Sequence, residues 1–251
     1  MAPDSEPIPP GLRPVGDGIA AASGGWTFGS ATPAAFDSHV VRSIPLYRET
    51  HELVLELAEA VVRQGGRCYD LGCSTGALTV QLAERLAPRG ATVIGIDREP
   101  GMVTRATARA GGVATFEVGD LESVELEPAS LLVALYTLQF VPVAARLRVA
   151  RRLHDALEPG GALVLFEKIR GASGREEGLF GDLYRDWKRR QGFEDAEISA
   201  KAQSLRGVLD AQTSAENAAM LRRAGFDELQ VVFRWLCWEG VLARRALPAG
   251  R

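Results

Sequence analysis

The sequence has few of the residues that build disulfide frameworks or metal sites, and it has no long apolar run. Its 251 residues include three cysteines and three histidines. Cys68, Cys73 and Cys237 show neither CxxC nor Cys/His ligand spacing, which argues against disulfides and against a metal site. No stretch approaches the roughly 18 apolar residues of a membrane span, and the N-terminus lacks the apolar segment of a signal peptide. We therefore expect a soluble cytoplasmic protein that contacts no membrane.

The charge balance gives no sign of a nucleic-acid partner. The formal net charge is -3, and 46% of the residues are hydrophobic, enough for one α/β core. Proline and glycine in residues 1–25 predict a mobile leader, and residues 26–251 are expected to form a single domain. The partner expected for that domain is a small-molecule substrate. A homodimer is left open.

Apolar strand-like runs alternate with helical patterns along the chain. A helix over residues 47–63 precedes the strand RCYDL, and helical patterns alternate with the later runs ATVIGID, VATFEVGD and ALVLFEK, whereas ASLLVALYTL follows VATFEVGD with no helical pattern between them. This alternation predicts an α/β fold with a doubly wound, Rossmann-like, mostly parallel sheet. A helical insertion follows at about residues 174–206. The runs ELQVVFRWL and WEGVLARR then predict a C-terminal antiparallel hairpin at the sheet edge.

The loop in CYDLGCSTGA suggests a ligand site. Gly72 and Gly76 follow the first core strand, where a ligand and the backbone approach closely in open α/β sheets. Asp97 ends the second strand, where a carboxylate can accept hydrogen bonds from ribose hydroxyls, and Asp120 ends the third. The alternatives are a tight strand-helix turn for the glycines and a cap for Asp120. Because no Lys-Ser/Thr follows the loop, we expect a nucleoside without phosphates.

These strand ends resemble the S-adenosylmethionine (SAM) site of class I methyltransferases. The segments WTF, RSIPLY, LYTLQFV, LEPGGALVLFEK, DWKRRQGF, EIS and LRRAGF, in this order, resemble the carboxy-S-adenosyl-L-methionine synthase family. The resemblance extends over nearly the whole chain from about Trp26. It implies a class I methyltransferase fold that binds SAM as substrate or methyl donor.

The resemblance also implies roles for individual residues. It places Tyr47 near the methionine end of SAM, Gly72, Cys73, Ser74 and Gly76 in the loop below it, Asp97 and Arg98 at the ribose, and Asp120 and Leu121 at the adenine. Arg42, about one helical turn before Tyr47, is interpreted either as a carboxylate partner or as a solvated arginine.

Two positions depart from the synthase pattern. Leu135 stands where the family has an asparagine, and Ala202 stands where it has the arginine that holds the carboxylate added to SAM. A buried carboxylate without a cation is strongly disfavoured. The departures therefore argue against conversion of SAM and prephenate into carboxy-SAM, unless Gln203 or Arg206 replaces the lost cation.

Aromatic residues mark the predicted sulfonium pocket. Tyr47, Tyr136 and Tyr184 are the candidate catalytic residues, since each offers a ring face to a cation and a hydroxyl for orienting an amine. Trp26 is a further candidate ring, whereas Phe28 and Trp187 are interpreted as packing residues. Glu167 and Lys168 are expected to form a structural ion pair. His51 and His154 are expected at the surface, His39 belongs to the N-terminal segment, and no histidine is an obvious general base.

Three functions fit this pattern. In the first, SAM is the only substrate: its α-amino nitrogen attacks its own γ-carbon and expels methylthioadenosine, as in azetidine-2-carboxylate synthases, which share the methyltransferase fold. In the second, the methyl group passes to a small nucleophile. In the third, the protein binds SAM without turnover. Carboxy-SAM synthesis is retained as a further alternative.

Overall fold

The computed structural model describes residues 9–29 and 32–247, which include a seven-stranded sheet. The strand order is β5-β4-β3-β6-β7-β9-β8. The strands of this sheet are β3 (Arg67–Leu71), β4 (Thr92–Asp97), β5 (Thr115–Val118), β6 (Ala129–Leu135), β7 (Leu157–Lys168), β8 (Glu228–Trp235) and β9 (Trp238–Arg244). Strands β3 to β7 pair in parallel, whereas β9 is antiparallel to both β7 and β8. The predicted sheet and its C-terminal hairpin are confirmed.

Helices cover both faces of the sheet. They are α1 (Thr32–Ser43), α2 (Tyr47–Val61), α3 (Ala77–Leu86), α4 (Pro100–Ala110), α5 (Val143–Ala156), α6 (Gly174–Arg190), α7 (Asp195–Ser204) and α8 (Ser214–Ala224). Strand β6 shows why the sheet needs two helical layers. Its residues Leu131 and Val133 pack into one apolar cluster, and Leu132 and Ala134 pack into the other. Alternate residues of a strand face opposite sides, so a continuously apolar strand is buried on both faces.

The N-terminal segment is a correction to the sequence analysis. Residues 1–8 of the predicted leader lie outside the described residues, but β1 (Arg13–Gly16) and β2 (Ile19–Ala21) form an antiparallel hairpin. Val15, Ile19 and Ala21 are buried in an apolar cluster with Trp26 and Ala200. Backbone amides of residues 24 and 26 donate to carbonyls at the end of α7, at 3.0 and 3.1 Å. Burial and these hydrogen bonds hold a segment whose composition alone suggested mobility.

The predicted insertion consists of α6 and α7. Ser173 caps the first turn of α6, and Glu194 and Glu197 form a capping box at the start of α7. Within α6, the Tyr184 hydroxyl donates to the Ser43 carbonyl of α1 at 2.6 Å. The insertion is thereby joined to the helix before the sheet. Among the helices of the described residues, none has the length and apolar character needed to cross a membrane.

Candidate functional site

A cavity of about 620 Å³ opens beyond the carboxyl ends of β3, β4 and β6. Its floor is formed by the loops that follow these strands, and its other walls by α1, α6 and α7. The chain turns to opposite sides of the sheet after β3 and β6, which makes this edge the topological switch point where α/β sheets bind ligands. Volumes of about 300–1,000 Å³ are usual for small-molecule sites.

The glycine loop is held close to two neighbouring strands. Gly72 has a φ of 78°, in the left-handed region, and a Cβ at this position would collide with the side chain of Thr137 after β6. The amides of Gly72 and Cys73 both donate to the Ile96 carbonyl, at 2.7 and 3.0 Å. Only glycine permits this approach, which leaves the backbone of the loop facing the cavity.

Asp97 joins the glycine loop to the end of β4. Its carboxylate accepts hydrogen bonds from the amides of Ser74 and Glu99, each at 2.9 Å. Burial raises the pKa of Asp97, although these two amides act in the opposite direction. Asp97 lines the cavity and keeps oxygen lone pairs beyond these two bonds. These lone pairs are available to accept hydrogen bonds from the two hydroxyls of a diol.

Most other residues of the predicted SAM site line the same cavity. They are Tyr47, Gly72, Cys73, Ser74, Arg98, Asp120, Leu121 and Leu135. Asp120 also accepts a hydrogen bond from the Glu122 amide at 2.8 Å. Asp120 therefore caps the following turn and also lines the cavity. Arg98 is exposed and its guanidinium pairs with Glu99 at 3.5 Å.

Two predicted binding residues do not line the cavity. Arg42 donates from Nη1 to Asp17 at 2.6 Å and from Nε to the Gln191 carbonyl at 2.9 Å, so it ties the β1-β2 hairpin to the insertion. Gly76 begins α3 with a φ of 76°, and a Cβ there would lie 2.8 Å from Ala106. Glycine is therefore needed at position 76 because the start of α3 packs closely against α4. Both assignments as ligand contacts are corrected.

The three candidate catalytic tyrosines gather at one end of the cavity. The rings of Tyr47 and Tyr136 stack with centroids 6.1 Å apart, and Tyr184 approaches from α6. Burial raises the pKa of all three phenols. They stay neutral near pH 7, so they offer rings and hydroxyls but no phenolate base.

The hydroxyls of two of these tyrosines are already engaged. Tyr184 donates to the Ser43 carbonyl at 2.6 Å, and Tyr136 approaches Thr50 Oγ1 at 3.5 Å. Tyr136 also has a φ of 60°, and its amide donates to the Phe166 carbonyl at 2.7 Å. A bulky residue in the left-handed region is unusual and often marks a functional site. The ring faces are therefore the main contribution of Tyr136 and Tyr184.

Asp70 is a cavity residue that the sequence analysis did not assign. It lies one residue before the end of β3, is buried, and accepts a hydrogen bond from Thr79 Oγ1 at 2.6 Å. Burial raises its pKa to about 7. The sequence signal was the acidic residue that closes the apolar run RCYDL. A carboxylate here suits a cationic group of the ligand.

His39 is a second cavity residue with no role assigned from sequence. Its Nδ1 lies 2.9 Å from Asp17, and its Nε2 lies 3.3 Å from the Ser43 hydroxyl. Burial lowers the pKa of His39 to about 4, with the nearby Lys201 ammonium acting in the same direction. The ring is neutral at pH 7. No spacing in the sequence connects Asp17 with His39, because the hairpin brings them together.

Further expectations from the sequence are corrected here. His51 is buried, with Nδ1 bonded to Gln81 at 3.0 Å, and His154 is partly buried against Phe226. Glu167 and Lys168 do not pair, because consecutive strand residues face opposite sides of the sheet. Glu167 is buried with the Arg146 charge acting on it, and Lys168 lines the cavity. Phe28 lines the cavity too, whereas Trp187 packs on Tyr184 and Trp235.

Metal ligands do not come together in the part of the chain that is described. Within residues 9–29 and 32–247, no group of three or more His, Cys, Asp or Glu side chains is placed to hold a metal ion. All three cysteines are buried as free thiols.

Comparison with known proteins agrees with this geometry. Residues 69–161 match the family model described as a methyltransferase domain. The carboxy-S-adenosyl-L-methionine synthase of Methylococcus capsulatus is 36% identical over 222 residues, covering 86% of this chain and 92% of that protein. The synthase of Yersinia pestis is 32% identical over 247 residues, covering 95% and 92%.

The chain belongs to the carboxy-S-adenosyl-L-methionine synthase family.

As a member of this family, within the class I methyltransferase superfamily, it is a SAM-dependent enzyme. Solved methyltransferases share its fold. An O-methyltransferase family protein from Burkholderia thailandensis superposes with a TM-score of 0.63 at 18% identity, covering 87% of this chain and 60% of that one. Magnesium protoporphyrin IX methyltransferase from Synechocystis superposes with a TM-score of 0.55 at 18% identity, covering 80% and 84%.

The residues present fit SAM. The cradle at Gly72 has no room for a Cβ, Asp97 offers carboxylate oxygens, and the far end of the cavity carries aromatic rings. The cradle allows the ligand to approach the backbone closely, the carboxylate suits a ribose diol, and the rings suit a sulfonium cation.

Proposed function

We propose that SAM is the whole substrate of this enzyme and is converted into azetidine-2-carboxylate and methylthioadenosine. The observation that carries the proposal is the presence of Ala202 on a cavity that α6 and α7 still enclose. The family pattern has an arginine at this position for an added carboxylate. Enclosure without that arginine favours chemistry within SAM itself.

The proposed reaction is an intramolecular displacement. One bond forms between the α-amino nitrogen and the γ-carbon, the bond between the γ-carbon and sulfur breaks, and its electron pair stays with methylthioadenosine. The α-ammonium loses one proton, so the products are neutral methylthioadenosine, zwitterionic azetidine-2-carboxylate and a proton. Because both reacting atoms already belong to one molecule, the contribution expected of the enzyme is to hold the methionine tail in near-attack geometry.

The residues of this chain would bind and orient the reacting end. Asp97 would hold the ribose, and Asp70 near the end of β3 would accept hydrogen bonds from the α-ammonium. The rings of Tyr47, Tyr136 and Tyr184 would surround the sulfonium, at about 0.5–2 kcal/mol for each well-placed ring. No phenolate is required, in agreement with the raised pKa of each tyrosine.

Carboxy-SAM synthesis is the second candidate, and the relatives favour it. The Methylococcus capsulatus protein carries that name and spans most of this chain. The cavity is also lined by Lys201, which directly precedes Ala202 and would offer positive charge to an added carboxylate.

Product analysis separates the candidates. Purified enzyme is incubated with SAM alone and with SAM plus prephenate, and products are quantified by mass spectrometry against a no-protein control. Equal amounts of methylthioadenosine and azetidine-2-carboxylate from SAM alone, at a rate proportional to enzyme, support ring closure. Carboxy-SAM formed only with prephenate supports the second candidate. S-adenosylhomocysteine formed only after a nucleophile is added identifies a methyltransferase and overturns both.

A variant that restores the family pattern provides a matched test. Leu135→Asn combined with Ala202→Arg is expected to lose ring closure and to gain carboxy-SAM formation from SAM and prephenate. The single variant Ala196→Ser, at an exposed position of α7 that does not line the cavity, is the control and is expected to keep the wild-type product.

A further inference from the structure

The lysines of this chain are confined to the cavity. Of the 29 basic residues, only Lys168, Lys188 and Lys201 are lysine, and the others are arginine. All three lysines line the cavity, although they come from β7, α6 and α7. A residue type that is rare in the chain and gathers in one place indicates a local chemical requirement.

Two of these lysines are buried without a counter-charge. Lys188 is 7% exposed and Lys201 is 8% exposed. The Lys188 ammonium lies 5.0 Å from the ring centroid of Tyr184 and 5.7 Å from that of Phe193, and the Lys201 ammonium lies against the ring of Trp26. Within residues 9–29 and 32–247, every ion pair of the structure involves arginine or histidine as the cation.

Burying such cations is costly. Burial lowers the pKa of Lys188 to about 8, and the Lys168 ammonium acts in the same direction. Burial, followed by the charge of Lys188, lowers the pKa of Lys201 well below its usual value. Aromatic faces compensate for only part of the lost hydration of an ammonium. An anion that enters the cavity relieves this unfavourable state.

Acidic residues lie on the opposite side of the cavity. Asp70 lies near the carboxyl end of β3, Asp97 ends β4, and Asp120 follows β5. In contrast, Lys188 and Lys201 belong to the insertion. SAM carries cationic sulfonium and ammonium groups, a ribose and a carboxylate. With the ribose at Asp97, the amino-acid end of the ligand extends toward the insertion.

We propose that Lys188 and Lys201 form a carboxylate-binding subsite for the amino-acid end of the ligand. The inference rests on the proposed function in taking SAM as the molecule that enters this cavity. The carboxylate belongs either to the methionine moiety or to a carboxylated sulfonium methyl. In either case, the subsite consists of two lysines on neighbouring helices, one of them next to position 202.

Binding of unreactive ligands tests the subsite without any turnover. Calorimetry compares S-adenosylhomocysteine, its decarboxylated analogue and methylthioadenosine. Lys188→Met and Lys201→Met are each expected to reduce the preference for S-adenosylhomocysteine over the decarboxylated analogue by about 10- to 100-fold, as for loss of a charge-assisted hydrogen bond. Affinity for methylthioadenosine, which has no carboxylate, is expected to stay unchanged and also shows that each variant is folded.

A further titration distinguishes the two carboxylates. If the variants keep the preference for S-adenosylhomocysteine but lose affinity for carboxy-SAM, the subsite takes the added carboxylate. Arg190→Met, which removes an exposed cation of α6 that does not line the cavity, is the matched control and is expected to change neither comparison. Unchanged discrimination in both lysine variants, for both carboxylates, overturns the subsite. Because no ligand reacts, this outcome is independent of whether SAM cyclises.

Discussion

The Asp97 carboxylate both holds the neighbouring backbone and lies on the ligand cavity. It accepts the amides of Ser74 and Glu99 and also faces the cavity. Asp97→Ala is therefore expected to weaken binding of S-adenosylhomocysteine by about 1–3 kcal/mol, through loss of charge-assisted hydrogen bonds to the ribose. Calorimetry measures the change.

The variant Arg105→Ala is the control for Asp97. Arg105 is an exposed residue of α4 that does not line the cavity, so its loss is expected to change affinity by less than about 1 kcal/mol. Equal affinity of Asp97→Ala and wild type would remove Asp97 from the ribose site.

Two titrating groups are expected to give ligand affinity a maximum between about pH 7 and pH 8. Burial raises the pKa of Asp70 to about 7, and the ligand ammonium favours its ionised form, so affinity is lost as the pH falls below this value. Burial lowers the pKa of Lys188 to about 8, and the ligand carboxylate favours its charged form, so affinity is full below this value and declines as the pH rises through it. Dissociation constants of S-adenosylhomocysteine measured across this range test both limbs.

Two variants identify which residue causes the acidic limb and which causes the alkaline limb of the affinity profile. Asp70→Asn is expected to flatten the acidic limb, and Lys188→Met the alkaline limb. The other groups acting on these two are Asp97, Tyr47, Cys68 and Cys73 around Asp70, and Lys168, Cys237, Lys201 and Tyr184 around Lys188. An unaltered profile in either variant would assign that limb to another of these groups.

At the scale of the element, α6 places the Tyr184 ring over the cavity through a hydrogen bond to α1. Tyr184→Phe removes the bond to the Ser43 carbonyl but keeps the ring, and is expected to retain most of the turnover of SAM at a stability cost of about 1 kcal/mol. Tyr184→Ala is expected to lower kcat far more than SAM affinity, because alignment matters most in the transition state. Steady-state kinetics of both variants separate the ring from the hydroxyl. Equal loss of kcat in the two variants would place the function on the hydroxyl instead.

At the scale of the whole molecule, the cavity joins parts that are distant in sequence. Its walls combine strand-end loops, α1, and an insertion that the β1-β2 hairpin covers. A ligand that contacts all of them stabilises the folded state, by about 2.7 kcal/mol at a free concentration of 100 Kd. Hydrogen exchange with S-adenosylhomocysteine is expected to slow in α6, α7 and residues 13–28. The control segment is α8, which packs against α5 away from the cavity and is expected to exchange at an unchanged rate. Slowing confined to the glycine loop would show that the insertion takes no part in binding.

The sequence by itself determined the sheet and the ligand-binding edge. Apolar runs such as Leu131–Val133 can be satisfied only by burial on both faces, Gly72 directly follows β3, and Asp97 ends β4. These are local signals, because residue period and strand end are properties of neighbouring residues. The helical insertion could be predicted in the same way, from the pattern between β7 and the final helix.

Only the tertiary structure decided the roles of Arg42, His39 and the lysines. Asp17 and Arg42 pair because a short hairpin, whose composition resembled a mobile leader, buries Val15 and Ile19 against α7. Lys188 and Lys201 lie on separate helices whose relative placement is set by packing over the cavity. Pairings between segments far apart in the chain depend on that packing. No local spacing encodes them, which is why the sequence indicated the binding edge and its aspartates but not the lysines of the insertion.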